Sequence, residues 1–218
     1  MAKRKNSEES IPAIKEAAIR LFGTKGYAST SLDEIATTAG FTKGAVYYYF
    51  RSKEKLLLDI LQDIQERSID KTIGKIRESS GTAIDKLVMF IDLQSRWAGM
   101  HPNDLAIMMI TSIQTSNEDG AVADKVKAIY QKMEQILHEL IDQAKQNGEV
   151  PKTVATRDMA MALMASHDGN MLLWYRSGRR PEEGRMLAAA ARHMLLDNFK
   201  TLAEALKGAP SSAGTVVQ

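Results

Sequence analysis

The chain has 218 residues, of which 44% are hydrophobic and 26% charged, so it is long enough and apolar enough to bury a core. It contains no cysteine, which excludes disulfides, thiolate metal sites and cysteine catalysis, and 29 basic against 27 acidic side chains leave a formal charge of +2. The charge is unevenly distributed, because residues 1–53 carry nine basic and five acidic side chains while the remainder is slightly acidic. A basic N-terminal part indicates binding of a polyanion.

The sequence has neither the pattern of a signal peptide nor that of a membrane span. Lys3 to Lys5 resemble the basic start of a signal peptide, but polar residues follow where an apolar stretch would be needed. No segment approaches the roughly 18 consecutive apolar residues of a transmembrane helix. We therefore expect a cytoplasmic protein that has no membrane partner.

The predicted elements are all helices, because no stretch shows the sustained apolar/polar alternation of a half-buried strand. Apolar side chains at helical spacing predict a first helix over about 10–25, followed by Gly26 at the position of a C-terminal cap. A second helix over about 31–39 opens with Ser31-x-x-Glu34, the pattern of a capping box. Together these signals predict two helices joined by a short turn.

A third short helix, over about 42–50, follows a glycine turn and completes the plan of a helix-turn-helix unit. Val46 and Phe50 lie four residues apart, which predicts a buried face. The three consecutive tyrosines 47–49 cannot all be core residues of so short a helix, so at least two must be exposed. DNA would cover them, since a phenol packs on a base or sugar while its hydroxyl contacts a phosphate. The alternative is that the tyrosines pack on a neighbouring helix.

A second helical unit is predicted over residues 54–206. Its helices run over about 53–78, 82–99, 102–115, 121–147, 155–177 and 182–206. We predict a helix-turn-helix domain over residues 1–53, with an N-terminal arm over 1–9, and a flexible tail over 207–218, which is rich in Gly, Ala, Ser and Pro. The 53–78 helix touches both units and is the candidate lever between them.

Residues 10–62 carry a string of motifs that is specific to one family. The string comprises Ala17 to Phe22, Gly26-Tyr27, Thr30 to Ala36, Ala39-Gly40, Thr42 to Phe50 and Ser52 to Glu54. With these motifs the N-terminal unit resembles the TetR family of transcriptional regulators. Many members carry histidine where this chain has Tyr49.

The resemblance implies an operator-binding protein that places its 42–50 helix in a major groove of double-stranded DNA. Ser31 then caps a helix that also meets phosphate. The implied operator contacts on and beside the third helix are Thr42, Lys43, Gly44, Tyr47, Tyr48, Tyr49 and Lys53.

The resemblance also implies that the larger unit binds a small-molecule effector. Eleven of the twelve methionines fall between Met89 and Met194, and a methionine-rich lining adapts to lipophilic ligands, although methionine also fills ordinary cores. The candidate ligand contacts are Arg96, Trp97, Met100, Met108, Tyr130, Met133, His167, Asn170 and Trp174. The last three share one helix face, which suggests the border of a pocket. For His167 the alternative is a core histidine hydrogen-bonded to the backbone.

The last two predicted helices, about 155–177 and 182–206, both carry small side chains that permit close helix packing. These are Ala160, Ala162 and Ala165 on one and Ala188 to Ala191 on the other. The resemblance implies a two-fold homodimer interface here. Packing within a single chain would use the same alanines.

No motif indicates catalysis, a metal or a cofactor. The Gly40-Phe41-Thr42-Lys43-Gly44 segment lacks the Gly-Lys-Ser/Thr ending of a P-loop, and the four histidines include no pair at i, i+4. No serine lies in a nucleophile elbow. We therefore expect a protein that is not an enzyme.

The sequence is best interpreted as an all-α homodimeric repressor that binds a palindromic operator and is released by a small lipophilic or aromatic effector. Two alternatives remain open. One is a helical small-molecule-binding or enzymatic protein whose tyrosine-bearing helix is an interaction surface. The other is an activator, because activation and repression differ in the position of the operator rather than in the protein sequence.

Overall fold

The computed structural model describes residues 7–208, with the backbone alone at residues 7, 8, 200 and 202–208. Within this part, every regular element is helical, which confirms the predicted fold class. Most of the predicted N-terminal arm and most of the predicted tail lie outside the described residues.

The N-terminal unit consists of three helices, α1 (Ser7–Lys25), α2 (Leu32–Ala39) and α3 (Lys43–Tyr49). The first helix begins earlier than its predicted start near residue 10. The side chain of Ser31 caps α2 by accepting a hydrogen bond from the Glu34 N–H, at 3.1 Å. The predicted turn at Gly40 therefore joins two short helices, α2 and α3, each of which has its own side-chain cap, Ser31 for α2 and Thr42 for α3.

The larger unit contains the remaining helices. These are α4 (Lys53–Gln65), α5 (Lys71–Glu78), α6 (Ala83–Met100), α7 (Pro102–Gln114), α8 (Ala121–Gln146), α9 (Thr156–Arg176) and α10 (Pro181–Gly208). Their ends lie close to the predicted positions, except that the predicted 53–78 helix is divided into α4 and α5. None of the described helices is both long and apolar enough to cross a bilayer.

The predicted 53–78 helix contains a π-helical turn, Glu66–Asp70, between α4 and α5. A π-turn is wider than an α-helical turn, and it changes which side chains face which neighbour. Here Ser68 and Ile69 are buried, while Arg67 reaches α7. The sequence did not predict this turn, because its residues are also compatible with a regular α-helix.

The helices enclose one continuous apolar core that runs from Ile14 to Phe199. Helix α10 packs against α6 and α9, and α8 packs against α4, α6 and α9. Helix α1 contacts both α4 and α7, so the N-terminal unit rests directly on the larger one.

One ion pair crosses between the units, and a second holds the π-turn against α7, the other helix that α1 contacts. Lys15 Nζ on α1 lies 2.8 Å from Asp63 Oδ2 on α4, and the π-turn residue Arg67 lies 3.1 Å from Asp104 Oδ2 on α7. The Asp104 side chain is only 6% exposed. The end of α4 is therefore tied to α1 by Lys15, while the turn after it is tied to α7.

Candidate nucleic-acid interface and ligand cavities

The outer face of α3 exposes two of its three tyrosines. Val46 and Phe50 are buried in the core, whereas Tyr47 is 43% and Tyr48 81% exposed. Tyr49 is half-buried, and its ring packs edge-on against Tyr48 with 5.3 Å between the ring centroids. At least two tyrosines therefore face outward, as the length of the helix predicted.

The N-terminal end of α3 is open to an approaching polyanion. The Thr42 side chain caps the helix by accepting a hydrogen bond from the Ala45 N–H, at 3.2 Å. Gly44 is exposed, and a Cβ added there would meet nothing within 4 Å. A ligand can therefore approach the backbone closely at this point.

Lys43 lies beside the exposed tyrosines and is held by an acidic neighbour. Its Nζ is 2.7 Å from Asp33 Oδ2 on α2 and 5.7 Å from the centroid of the Tyr47 ring. The hydrogen bond to Asp33 raises the pKa of Lys43, so its ammonium remains charged at neutral pH. Both partners are exposed, and a phosphate can replace the carboxylate at little cost.

Lys53 has a different environment from the other predicted DNA contacts. Its Nζ donates hydrogen bonds to the carbonyl oxygens of Tyr27, at 2.7 Å, of Ala28, at 3.3 Å, and of Thr30, at 2.8 Å. It also lies 4.3 Å from the centroid of the Tyr27 ring. In the free protein the three ammonium protons are thus directed at the turn before α2.

A shallow groove of about 510 Å³ separates this turn from the end of α3. It is lined by Ala28, Ser29, Thr30, Ser31, Leu32, Tyr47, Arg51, Ser52 and Lys53. The structure therefore brings the α2 cap and the tyrosine-bearing helix to one surface. Residues 28–30 were not among the predicted contacts, whereas Arg51, directly after the 42–50 helix, adds the positive charge expected beside the DNA-binding helix.

Three cavities lie within the larger unit. The outer pocket, about 510 Å³, lies between α6, α9 and the start of α10, and the middle cavity, about 160 Å³, lies between α6, α8, α9 and a later part of α10. The inner cavity, about 40 Å³, lies between the π-turn and α6 to α9. Met171 lines all three, so the cavities follow one another around this side chain.

The predicted ligand contacts divide between these cavities. The inner cavity is lined by Trp97, Met108, Tyr130, Met133 and His167. The outer pocket is lined by Arg96, Asn170 and Trp174. Met100 lines none of the three, being exposed in a separate groove between α1 and the α6–α7 junction. The shared face predicted for residues 167, 170 and 174 therefore borders more than one cavity.

The inner cavity contains polar atoms that lack partners. Trp97 Nε1 and His167 Nε2 are buried, and neither has a hydrogen-bond partner within the described part of the chain. The other ring nitrogen of His167 lies 3.1 Å from Asp168 Oδ1, a side-chain rather than a backbone partner. Burial raises the pKa of the Tyr130 phenol, and the charge of Asp168 raises it further, so this phenol stays neutral.

Sequence analysis missed several residues of the outer pocket. Asp92, Arg179, Gly184 and Arg185 line it, but they belong to different helices or to the turn before α10. A Cβ at Gly184 would lie 2.9 Å from Trp174 Nε1, so the absence of a side chain there lets the indole close the pocket. The cluster of arginines around the predicted break at 177–181 was the available signal.

Comparisons with known proteins agree with these features. Residues 14–60 match the family described as bacterial regulatory proteins, tetR family, and residues 103–196 match the C-terminal domain of BetI-type transcriptional repressors. The MbdR regulator of Azoarcus sp. CIB is 32% identical, with a TM-score of 0.76 over 86% of this chain and 97% of that one.

Two further proteins resemble the chain over most of its length. The fatty acid metabolism regulator protein of Bacillus subtilis (strain 168) is 26% identical over 161 residues, which cover 74% of this chain and 81% of that protein. The structure of FadR from Bacillus subtilis in complex with stearoyl-CoA has a TM-score of 0.72 at 21% identity, over 84% of this chain and 96% of that one. From the matches at both ends of the chain and the similarity to MbdR, we conclude that the protein belongs to the TetR family and is a DNA-binding transcriptional regulator rather than an enzyme.

Proposed function

We propose that the protein is a cytoplasmic repressor that binds a palindromic operator as a homodimer and is released by a lipophilic effector. The observation that carries the DNA-binding part is the outward face of α3, where Tyr47 and Tyr48 are exposed beside Lys43. Their neighbours Val46 and Phe50 are buried, so the helix is anchored while its polar-aromatic face is available. Such a face suits the major groove of DNA.

The individual contacts follow from this orientation. The tyrosines would contact base edges and sugars, while Lys43, Ser31 and the N-terminal end of α3 beside Thr42 would contact phosphates. Gly44 would allow the backbone to approach the duplex, and Tyr49 would support Tyr48 from the side. Lys53 would reach a phosphate only by giving up hydrogen bonds to the turn before α2.

The proposed homodimer uses α9 and α10. Four large apolar side chains on these helices are more than half exposed, namely Met161, Leu173, Met186 and Met194. Exposed apolar side chains on two neighbouring helices suit an interaction surface, and a two-fold axis would pair the same face of two copies. A dimer would then meet half-sites about 34–36 Å apart, or a multiple of that distance.

The effector would bind in the cavities of the larger unit. Their lining is largely apolar and rich in methionine, which suits a lipophilic ligand. The similarity to a fatty acid metabolism regulator, and to a FadR structure holding stearoyl-CoA, supports the same class of effector. The outer pocket, about 510 Å³, lies within the range of about 300–1,000 Å³ that is typical of small-molecule sites.

Release would be a population shift between two arrangements of the dimer. Ser68 and Ile69 of the π-turn line the inner cavity, whereas Arg67 of the same turn pairs with Asp104. Just before it, Asp63 pairs with Lys15 of α1. An effector that changes the packing of the π-turn would therefore change the position of the N-terminal unit.

The experiment begins with fluorescence anisotropy on a random-sequence duplex at low salt. We expect binding that weakens steeply as salt is added. Selection from random sequences should then yield a palindromic site, which the protein protects over two half-sites. Sedimentation should show a dimer that Met161→Asp together with Met186→Asp dissociates. Absence of DNA binding at low salt would contradict the proposal, and transcription from a promoter bearing the selected site distinguishes repression from activation.

A further inference from the structure

The outer pocket is polarised, with an apolar floor and a cationic rim. Its floor includes Met171 and Trp174, both buried. Its rim carries three exposed arginines, Arg96, Arg179 and Arg185. A pocket with this arrangement favours a ligand that has an apolar body and an anionic end.

The rim contains one carboxylate, and that group is already paired. Asp92 Oδ2 lies 3.4 Å from the guanidinium of Arg192 on α10. By contrast, no carboxylate of the described residues lies within 4.0 Å of any of the three rim arginines. Arg179 donates to Asn103 Oδ1, at 3.3 Å, and Arg96 Nε donates to the backbone carbonyl oxygen of Asp92, at 3.2 Å. The rim therefore carries an excess of positive charge that no carboxylate in the described part of the chain pairs.

The backbone places one of these arginines at the mouth. Arg179 has φ of 61°, a left-handed conformation that is uncommon outside glycine. Its N–H donates to the carbonyl oxygen of Trp174, at 3.1 Å, and this bond closes the end of α9. The Trp174 indole donates in turn to the Arg180 carbonyl, at 2.9 Å. The turn thus fixes the cationic rim and the aromatic floor relative to each other.

The middle cavity continues the apolar floor along α9 and α10. Ser95, Asn170 and Met171 line both the outer pocket and the middle cavity. Methionine is unbranched and changes rotamer readily, so Met171 is a wall that a flexible chain can displace. An apolar chain that enters the outer pocket beside Trp174 can therefore continue past Met171 into the middle cavity.

We propose that the outer pocket binds an anionic amphiphile. Its carboxylate or phosphate group contacts Arg96, Arg179 and Arg185, and its apolar chain passes Trp174 and Met171 into the middle cavity. Arginine suits this function because its planar fork binds carboxylates and phosphates with two parallel hydrogen bonds. The proposal rests on the proposed function in that it identifies the chemical class of the effector.

Binding of four probes with the same twelve-carbon chain tests the proposal. Dodecanoate, dodecanoyl-CoA, dodecanol and dodecyltrimethylammonium are titrated by calorimetry below their micelle-forming concentrations. We expect the anions to bind at least tenfold more tightly than the alcohol and the cation. The order of dodecanoate and dodecanoyl-CoA identifies whether the favoured head is a carboxylate or a phosphate-bearing group. Equal affinity for the cation and the anions would overturn the proposal.

Variants locate the binding site. Replacing Arg179 and Arg185 by alanine together should weaken binding of the anions at least tenfold and leave that of dodecanol within twofold. Arg157→Ala is the matched control, because Arg157 is an exposed arginine of α9 that lines none of the three cavities. In a Trp97→Phe background, in which Trp174 is the remaining tryptophan, the anions should change the fluorescence. Equal affinity of the double variant and the control would overturn the assignment.

Operator binding is measured separately in the same samples. If an anion binds at the arginines but the operator complex persists, the inference is supported and the effector part of the proposed function is wrong. If the operator binds normally and no anionic probe binds, the inference is overturned while DNA binding stands.

Discussion

Lys53 Nζ lies 2.8 Å from the carbonyl oxygen of Thr30, across the turn that precedes α2. With its bonds to two further carbonyls, this ammonium stabilises the segment that presents the Ser31 cap. We expect Lys53→Ala to lower the free energy of unfolding by about 1–3 kcal/mol, since buried or partly buried carbonyls lose a charged donor. Denaturant titration measures this loss, and unchanged stability would contradict the assigned contacts.

Lys43 should behave in the opposite way. Its ion pair with Asp33 is exposed, so Lys43→Ala should change stability by less than about 1 kcal/mol. If Lys43 contacts a phosphate, the slope of log affinity against log salt should fall by about one for this variant. Lys127→Ala, on the exposed surface of α8, is the control and should leave the slope unchanged. A slope as steep as that of the original protein would refute the contact of Lys43.

Tyr47→Phe and Tyr48→Phe test the face of α3. Each removes one hydroxyl from an exposed ring, so operator affinity should fall by roughly two- to tenfold with little effect on the melting temperature. Val46→Ala is the contrasting variant, because Val46 is fully buried and its truncation should destabilise the protein by about 1–3 kcal/mol. A large loss of stability in either tyrosine variant, with affinity retained, would place that ring in the core.

The buried carboxylate of Asp104 predicts a pH dependence. Burial raises the pKa of Asp104 above its ordinary value of 3.8, although the Arg67 guanidinium and His101 oppose the shift. The folded protein therefore keeps this proton to higher pH than the unfolded chain does. Its contribution to stability is present below pH 3.8 and is lost as the pH rises through the raised pKa.

Arg67→Ala should enlarge this effect, because the pKa of Asp104 then rises further. The destabilisation caused by the substitution should grow between about pH 4 and pH 7, reaching about 1–2 kcal/mol. The matched control is Arg77→Ala, whose partner Glu139 is exposed. Equal pH profiles for the two variants, measured by thermal unfolding, would contradict the argument.

Gly184→Ala tests the wall of the outer pocket. Alanine usually stabilises a helix relative to glycine by about 0.5–1 kcal/mol, but here its Cβ would lie 2.9 Å from Trp174 Nε1. We expect destabilisation by about 1–3 kcal/mol and a changed Trp174 fluorescence. Gly74→Ala in α5, where an added Cβ meets nothing within 4 Å, should instead be neutral or stabilising. Similar stability changes in both variants would show that the indole is not constrained.

The sequence by itself determined the helices and the orientation of α3. The ends of a helix are set by capping residues directly before and after it, such as Ser31 and Gly40 at the two ends of α2. Such signals are visible in a short stretch of sequence. The burial of Val46 can likewise be read from the local sequence, because it follows from helical spacing, and it forces the adjacent tyrosines outward. Local periodicity was therefore enough to identify the candidate DNA-binding face.

Only the tertiary structure decided which distant side chains share a site. The rim of the outer pocket brings Arg96 of α6 together with Arg179 and Arg185, which are far away in sequence. In the same way, Arg67 of the π-turn pairs with Asp104 of α7. Such pairings depend on how helices cross and on the π-turn, which shifts the faces of the segment after α4. Helical periodicity identifies the buried face of one helix but carries no information on the helix that covers it. For that reason the cationic pocket and the loop-binding role of Lys53 became visible only in the folded chain.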